Sequence, residues 1–228
     1  MPISLCMIVK NEEDYIEKCI NSVKSVADEM IIVDTGSNDR TKEIAKKFTD
    51  KIYDFKWNDD FSSARNFLIS KATKDWVLVL DADETISSRD LAAIKNLANN
   101  DLNNNNENNY GNKNNKKIME YSFIQRTYSN EIKKLKWNYA KDDFYDESKP
   151  FLGWTYRGIT RLFRNDKRIK FDYPIHETVI DSIKRINGKI IQTIMPIHHF
   201  EILKGEDFNN KKYSYYIKLL KNKIKMHP

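Results

Sequence analysis

Residues 76–84 read Trp-Val-Leu-Val-Leu-Asp-Ala-Asp-Glu, a short apolar run that ends in acidic side chains. The run Trp76–Leu80 predicts a strand that is buried on both faces. In an extended segment, residues two apart point to the same side, so Asp81 and Asp83 can converge on one cation. Hard divalent ions such as Mg²⁺ take oxygen ligands from carboxylates and from substrate phosphates. The stretch therefore predicts a metal site at the end of a strand, with a turn or helix-cap role as the alternative.

The chain before this stretch alternates between strand and helix patterns. Nearly continuous apolar runs at Ile3–Val9 and Met30–Val33 and a shorter one at 52–53 predict three further buried strands. Between them, apolar residues recur at helical spacing in three groups: Tyr15, Ile16, Cys19, Ile20 and Val23; Ile44, Ala45 and Phe48; and Phe61, Ala64 and Leu68. Repeated strand–helix units of this kind predict an α/β fold with a doubly wound, mainly parallel sheet.

The second half of the chain has a different pattern. Residues 99–117 are rich in asparagine and nearly free of apolar side chains, which predicts a mobile surface loop. Three later strands of a mixed sheet and a terminal amphipathic helix are predicted at Tyr121–Tyr128, Ile159–Phe163, Ile190–Ile194 and Tyr213–Met226. We interpret residues 1–228 as one domain, in which residues 1–98 and 118–228 form two halves around the loop.

Polar side chains follow three successive strands of the predicted sheet. Asn11 and Glu12 follow the first strand, Asp34 ends the second, and Asp81 and Asp83 follow the fourth. Ligands of open parallel sheets bind beyond the carboxyl ends of the strands. These residues are therefore candidates for binding a ligand, although Asp34 could also simply terminate its strand and cap the next helix.

The composition limits the class of protein. With 228 residues, 40% hydrophobic and 32% charged, the chain is typical of a globular domain and not of a disordered one. Its net charge of +6 comes partly from lysine clusters, which could favour nucleic acid, an anionic membrane surface or phosphorylated ligands, or could only solvate the surface. No groove-reading or base-stacking motif lies among these lysines, so we expect no nucleic-acid partner.

The two cysteines and the apolar runs bear on localisation. Cys6 and Cys19 both fall at apolar positions, which predicts buried reduced thiols and not a disulfide framework. The run Ile3–Val9 is too short for the core and cleavage site of a signal peptide. No apolar run in the sequence approaches the roughly 20 residues that a membrane-spanning helix needs. We therefore expect a cytoplasmic protein with at most peripheral membrane contact.

Four stretches of the first half, in their order and spacing, resemble family 2 glycosyltransferases of the GT-A fold. They are Ser-Leu-Cys-Met-Ile-Val-Lys-Asn-Glu-Glu at 4–13, Ile-Ile-Val-Asp-Thr-Gly-Ser-Asn-Asp-Arg-Thr at 31–41, Trp-Asn-Asp-Asp-Phe-Ser-Ser-Ala-Arg-Asn at 57–66, and the stretch at 76–84. The resemblance is closest to a branch with lipopolysaccharide-core glucosyltransferases and bacterial peptide or protein glycosyltransferases such as the sublancin S-glycosyltransferase. Weaker matches continue at 161–164, 176–177 and 197–200.

The resemblance implies a GT-A (Rossmann-like) sheet flanked by helices and an inverting transfer of a sugar. The implied donor is a nucleotide diphosphate sugar, most simply a UDP-sugar, used with Mg²⁺ or Mn²⁺. The implied acceptor is a glycan, a lipid-linked saccharide, a peptide or a protein.

The resemblance also implies roles on the donor side. Asp34 is similar to the carboxylate that contacts the base or ribose, and Arg65 to a further donor-side contact whose charge suits a diphosphate. Asp81 and Asp83 resemble the family's cation-binding motif. His199 is similar to a histidine that completes the metal shell, although Glu201 stands where relatives often have glycine.

On the acceptor side, Glu177 and His176 match a His-Glu pair of this branch. An inverting displacement needs a base for the acceptor proton. Glu177 is the first candidate, His176 the second and Asp172 the third. The alternative for His176, which follows Pro174 closely, is that it only fixes a turn.

A nucleotidyltransferase and an inactive adaptor domain are the alternatives to a glycosyltransferase. A nucleotidyltransferase would carry a glycine-rich basic loop after the first strand, where this chain has Lys-Asn-Glu-Glu at 10–13. A catalytically inactive adaptor domain that binds a nucleotide-sugar is disfavoured by the intact Asp81/Asp83 pair.

Overall fold

The computed structural model describes residues 1–99, 117–132, 136–205, 210 and 213–221. The strands are β1 (Ile3–Val9), β2 (Glu29–Asp34), β3 (Ile52–Asp54), β4 (Trp76–Val79), β5 (Glu84–Thr85), β6 (Ile118–Ser129), β7 (Asn138–Tyr139), β8 (Gly153–Arg164) and β9 (Lys189–His199). The helices are α1 (Ile16–Val23), α2 (Thr41–Lys46), α3 (Phe61–Ile69), α4 (Leu91–Asn99) and α5 (Ile180–Arg185). Short 3₁₀ helices lie at Asp146–Ser148 and Glu201–Lys204, and residues 213–221 are helical.

The strands form one sheet with the order β3-β2-β1-β4-β8-β6-β9-β5, and β7 pairs with β8. The first half is parallel throughout, since β1 pairs with both β2 and β4, and β2 pairs with β3. Val9 lies opposite Asp34, so the ends of β1 and β2 meet at one edge of the sheet. The predicted parallel core is therefore confirmed, and it gathers the predicted polar side chains at that edge.

The second half adds antiparallel pairs, which makes the sheet mixed. Strand β8 joins β4 and β6 in antiparallel fashion, whereas β9 runs parallel to β6. The two-residue strand β5 pairs with the end of β9, where Glu84 lies opposite His199. This pairing brings the segment after β4 into contact with β9, the last strand of the chain that the structure describes. The predicted mixed α/β fold class is confirmed.

Helices cover both faces of the sheet because β1, β2 and β4 are apolar on both sides. Leu5 and Met7 of β1 pack with α1, α2 and α4, whereas Cys6 packs on the opposite face with α3 and α5. This alternation follows from the two-residue period of a strand. Cys6 and Cys19 are buried free thiols, as the sequence predicts.

Some elements differ from the sequence-based predictions. The predicted strand after residue 75 ends at Val79, one residue earlier than expected, and β5, β7, α4 and α5 were not predicted. The asparagine-rich loop lies outside the described residues except for its flanks, Asn99 and Lys117, and so do residues 222–226 of the predicted terminal helix. Among the residues described, no helix is both long and apolar enough to cross a membrane.

Candidate active site

Asp34, at the end of β2, is buried and has one carboxylate oxygen fixed by the backbone. Its Oδ1 accepts hydrogen bonds from the backbone N–H groups of Gly36 and Ser37, both at 2.9 Å. Gly36 has a φ of 106°, which favours glycine and allows the chain to turn back over the carboxylate. The other oxygen, Oδ2, is buried and has no hydrogen-bond partner among the described residues. The backbone therefore orients the Asp34 carboxylate, and its Oδ2 is an acceptor that no described residue uses.

Asn11 connects the loops that follow β1 and β2. Its backbone N–H donates to the Ser37 hydroxyl at 2.9 Å, and its side-chain Oδ1 accepts from the backbone N–H of Asn38 at 2.8 Å. Its φ of 54° is left-handed, a conformation that asparagine adopts more readily than most residues. Asn11 is thus exposed at the edge of the site and shapes the loop beside Asp34.

Glu12 contacts two other parts of the chain, the start of α2 and the 3₁₀ turn that ends at Lys204. Its backbone N–H donates to the Thr41 hydroxyl at 2.7 Å, and its Oε1 accepts from the Lys204 ammonium at 2.7 Å. Burial raises the pKa of Glu12 to about 7, although the Lys204 ammonium opposes this shift. Its Oε2 is buried and lacks a hydrogen-bond partner among the described residues.

Asp81 is held between two arginines. Its Oδ1 accepts from Nη2 of Arg65 at 2.7 Å and its Oδ2 accepts from Nη2 of Arg161 at 2.6 Å. Burial would raise the pKa of Asp81, but Arg161 and Arg65 outweigh burial and hold the pKa well below its ordinary value. Arg161 also donates to Glu84 at 2.6 Å. Asp81 is therefore an ionised carboxylate that fixes two guanidinium groups beside the strand ends.

The backbone between Asp81 and Asp83 corrects one step of the sequence argument. The segment is not extended, because the chain turns here and the Glu84 N–H donates to the Asp81 carbonyl at 3.0 Å. The two-residue spacing therefore does not place both carboxylates on one side of a strand. The turn arises because β5 must pair with β9 and not continue β4.

Asp83 contacts the side chains of His199 and Lys204. Its Oδ2 lies 3.6 Å from Nε2 of His199 and 3.0 Å from the Lys204 ammonium. Burial would raise the pKa of Asp83, but the contacts with His199 and Lys204 lower it overall. Burial would conversely lower the pKa of His199, and Asp83 raises it overall. Nδ1 of His199 lies 3.1 Å from the Thr127 hydroxyl, which orients the ring.

The residues near Asp83 fit a cation better than those near Asp81. Within the described part of the chain, no group of three or more His, Cys, Asp and Glu side chains is arranged to hold a metal ion. A cation nevertheless already contacts Asp83, since the Lys204 ammonium lies against its Oδ2. Carboxylate oxygen suits Mg²⁺ and Mn²⁺, and neutral imidazole nitrogen is a common ligand of metal ions in proteins. Asp83 and His199 are thus the better placed of the predicted metal ligands, whereas Asp81 is occupied by arginines.

The acceptor-side candidates lie next to the arginine pair. Oε1 of Glu177 accepts from Nε of Arg65 at 3.0 Å, and the Glu177 side chain is 15% exposed. His176 is exposed, has a φ of 56° and approaches the ring of Tyr216 edge-on at 6.4 Å. Asp172, the third candidate base, bonds instead to Arg185 at 2.8 Å. Arg65 therefore joins Glu177 to Asp81, and His176 and Asp172 lie outside this contact.

Comparison with known proteins identifies the family of this chain. The sequence profile described as "Glycosyl transferase family 2" matches residues 4–164. The chain belongs to glycosyl transferase family 2. Two curated relatives of this family 2 chain are a TPR repeat-containing protein of Synechococcus elongatus, 35% identical over 79% of this chain, and the SPbeta prophage-derived glycosyltransferase SunS of Bacillus subtilis, 30% identical over 77%. The chain spans only 36% and 34% of the length of these relatives.

Solved structures share the fold of this family 2 chain. Residues 1–349 of S. aureus TarS in complex with UDP-GlcNAc superpose with a TM-score of 0.55, at 16% identity, and cover 88% of this chain and 59% of TarS. Glucosyl-3-phosphoglycerate synthase of Mycobacterium tuberculosis, in complex with Mn²⁺, UDP-Glc and phosphoglyceric acid, superposes with a TM-score of 0.53, at 14% identity. The latter match covers 87% of this chain and 71% of the synthase. At these identities the likeness shows the fold alone.

Two residues of the candidate site were not assigned a role from the sequence. Arg161 lies on β8, which pairs with β4 through Leu162 opposite Leu78, and this register brings it to Asp81. Lys204 follows the last strand and reaches the loop after β1. The weak family match at 161–164 includes Arg161 but assigns it no role, and no local pattern marks Lys204. The contacts of both residues depend on the pairing of distant strands.

His198, which precedes His199 on β9, has a different environment from His199. His198 is fully buried, its Nδ1 lies 2.6 Å from the Tyr128 hydroxyl, and the two rings are stacked. Burial lowers the pKa of His198 to about 3, so it is neutral. Of the two adjacent histidines, His198 is thus the packed one and His199 the one that faces the site.

Proposed function

We propose that this chain is the catalytic domain of an inverting, metal-dependent glycosyltransferase. It transfers a sugar from a nucleotide diphosphate donor, a UDP-sugar, to an acceptor nucleophile. The observation that carries the proposal is the position of Arg65, which holds Asp81 on the donor side and Glu177 on the acceptor side. One guanidinium thus links the donor-side carboxylate of Asp81 to Glu177, the carboxylate proposed to face the acceptor.

Asp34 is the proposed contact for the nucleoside. A ribose hydroxyl or a base N–H is a donor, and the buried Oδ2 of Asp34 is an acceptor without a partner among the described residues. An unpaired buried carboxylate oxygen is costly, so a ligand that supplies a donor gains a charge-assisted hydrogen bond. Asn11 and Glu12, in the adjacent loop, are the other proposed donor-side contacts.

The diphosphate and its metal are placed at the end of β4. Asp83 and His199 would hold Mg²⁺ or Mn²⁺, and Asp81 would join them only by leaving Arg65 and Arg161. The bound metal would supply Lewis-acid neutralisation of the charge on the leaving diphosphate. Arg65 and Arg161 add two buried positive charges beside Asp81. Such fixed charges stabilise a leaving group without reorganisation during the reaction.

Glu177 is the proposed general base. The acceptor nucleophile forms a bond to the anomeric carbon, the bond from that carbon to the diphosphate oxygen breaks, and the acceptor proton goes to Glu177. The hydrogen bond from Arg65 keeps the Glu177 carboxylate oriented. His176, which is exposed beside it, is the second candidate for this proton.

The acceptor is proposed by class only. A glycan, a lipid-linked saccharide, a peptide or a protein side chain would each reach Glu177 from solvent. We also propose that the domain works in the cytoplasm, where nucleotide-sugars are available, with at most peripheral contact with a membrane.

Calorimetric titration tests the donor site. UDP, UDP-glucose and UDP-N-acetylglucosamine would be titrated with and without Mn²⁺ into the wild type and into Asp83→Ala. We expect UDP binding that depends on Mn²⁺ and that Asp83→Ala abolishes. Asp50→Ala removes an exposed carboxylate elsewhere on the surface and should bind UDP like the wild type. A wild type that binds no nucleotide even with Mn²⁺ would refute the donor site, whereas binding without sugar transfer would favour the inactive adaptor.

A further inference from the structure

Lys204 is a buried cation that comes from a distant part of the chain. It ends the 3₁₀ turn Glu201–Lys204 after β9, and Gly205 follows with a φ of 81°. Its side chain is only 8% exposed. Its ammonium lies 2.7 Å from Oε1 of Glu12 and 3.0 Å from Oδ2 of Asp83. The C-terminal segment thus places one positive charge between the loops that follow β1 and β4.

This contact uses the same oxygen that a divalent metal would need. Oδ2 of Asp83 also lies 3.6 Å from Nε2 of His199. Ammonium and divalent ions both seek carboxylate oxygens, and two cations on one buried oxygen repel each other. Oε2 of Glu12 is buried without a hydrogen-bond partner among the described residues, so the position has acceptor capacity beyond what Lys204 uses.

We propose that Lys204 is an intramolecular cation that holds Glu12 and Asp83 together in the ligand-free enzyme and that a divalent metal must displace. The inference rests on the proposed function and adds a residue that governs when the metal binds. Since Lys204 competes for Asp83, the metal binds weakly to the empty enzyme.

The displaced ammonium needs another anion, and the diphosphate of the donor supplies one. Metal and nucleotide therefore bind cooperatively, because the nucleotide removes the cost of separating Lys204 from Asp83. Such coupling is reciprocal, so the metal tightens nucleotide binding by the same factor. A lysine at this position makes the donor complex, and not the metal alone, the species that fills the site.

Binding of Mn²⁺ in the absence of nucleotide tests the proposal, measured from the electron paramagnetic resonance signal of free Mn²⁺. Lys204→Met removes the charge and should tighten Mn²⁺ binding by about tenfold or more. Lys204→Arg keeps a cation and should bind Mn²⁺ as weakly as the wild type. Lys18→Met removes a nearby exposed lysine that contacts the Phe200 ring and no carboxylate of the site, and it should also match the wild type. Thermal unfolding checks that each variant is folded.

The titrations are then repeated with UDP present. We expect UDP to increase the Mn²⁺ affinity of the wild type by a larger factor than that of Lys204→Met. If Lys204→Met binds Mn²⁺ no more tightly than the wild type while UDP binding persists, the role of Lys204 is refuted and the proposed function stands. If the wild type binds neither Mn²⁺ nor UDP, the proposed function and this inference are refuted together.

Discussion

The Glu177 carboxylate lies 3.0 Å from the Arg65 guanidinium, although the two residues are 112 positions apart in the chain. The same guanidinium donates to Asp81 at 2.7 Å, and its side chain is only 6% exposed. A buried arginine with two carboxylates is stable because each charge is paired. Removal of Arg65 would therefore leave Glu177 without its cation and Asp81 with Arg161 alone.

We expect Arg65→Ala to lower the free energy of unfolding by about 3 to 5 kcal/mol, the usual cost of leaving a buried charge unpaired. Chemical denaturation at neutral pH measures this change. Arg168→Ala is the matched control, because Arg168 pairs with Asp166 at 2.6 Å but is 66% exposed. The control should cost much less, because an exposed ion pair contributes little to stability. Similar losses in the two variants would contradict the structural role of Arg65.

Glu177→Gln tests the proposed base. The amide keeps an oxygen that can accept from Arg65 but cannot take the acceptor proton at neutral pH. We expect kcat to fall by about 10²- to 10⁴-fold with little change in KM for the donor. Activity is measured as UDP release from the donor that calorimetry identifies.

His176→Ala is the comparison for this test. Because His176 is exposed and contacts Tyr216 and not Arg65, its loss should reduce kcat by less than about tenfold. The reverse outcome, a large loss in His176→Ala and a small one in Glu177→Gln, would assign the proton transfer to His176.

The strands and helices from β1 to β4 could be predicted from the sequence because each has its own local pattern of apolar residues, whereas β5 and α4 could not. Ile3–Val9 is a strand with the predicted bounds, since a run of seven apolar or small residues is typical of a strand buried on both faces of a parallel sheet. Asp34 ends its strand where the apolar run ends. The gathering of strand ends then follows from the parallel order of β1, β2 and β4.

The partners of the site residues could not be predicted in this way. Arg161 and Lys204 reach Asp81 and Asp83 only because β8 pairs with β4 and because β9 pairs with β5. Strand β5 has two residues, too few to show a period. The spacing of Asp81 and Asp83 therefore suggested an extended segment, whereas tertiary pairing makes it a turn.

Asp34→Asn should weaken nucleotide binding without unfolding the protein. The substitution keeps an oxygen for the N–H groups of Gly36 and Ser37 but replaces the unpartnered Oδ2, an acceptor, with a donor group. Loss of a charge-assisted hydrogen bond and the new mismatch should raise the Kd for UDP by about tenfold to a hundredfold. Calorimetry in the presence of Mn²⁺ measures the Kd.

Asp54→Asn is the control for Asp34→Asn. Asp54 lies opposite Asp34 on β3, but its side chain is 76% exposed and pairs with Lys42 at 2.5 Å. Its substitution should leave the Kd for UDP unchanged. Equal weakening in the two variants would point to a general effect of charge and would contradict a direct contact by Asp34.

Glu120 makes stability depend on pH from a position away from the site. This carboxyl group on β6 is fully buried, and its Oε2 has no hydrogen-bond partner among the described residues. Burial raises its pKa from 4.5 to about 7, although the Ser122 hydroxyl favours the charged form. The folded state therefore binds a proton that the unfolded state releases between pH 4.5 and 7, so this group makes the protein less stable as pH rises through that window.

The shift corresponds to about 3 kcal/mol, fully lost above pH 7. Glu120→Gln keeps the shape without the charge and should be more stable than the wild type at pH 8, with a smaller difference at pH 5. Denaturation at a series of pH values measures the difference between the two proteins. Glu43→Gln, which removes an exposed carboxylate on α2, should retain the wild-type pH dependence. If the difference in stability between Glu120→Gln and the wild type did not change with pH, folding would not raise the pKa of Glu120, and the prediction would be wrong.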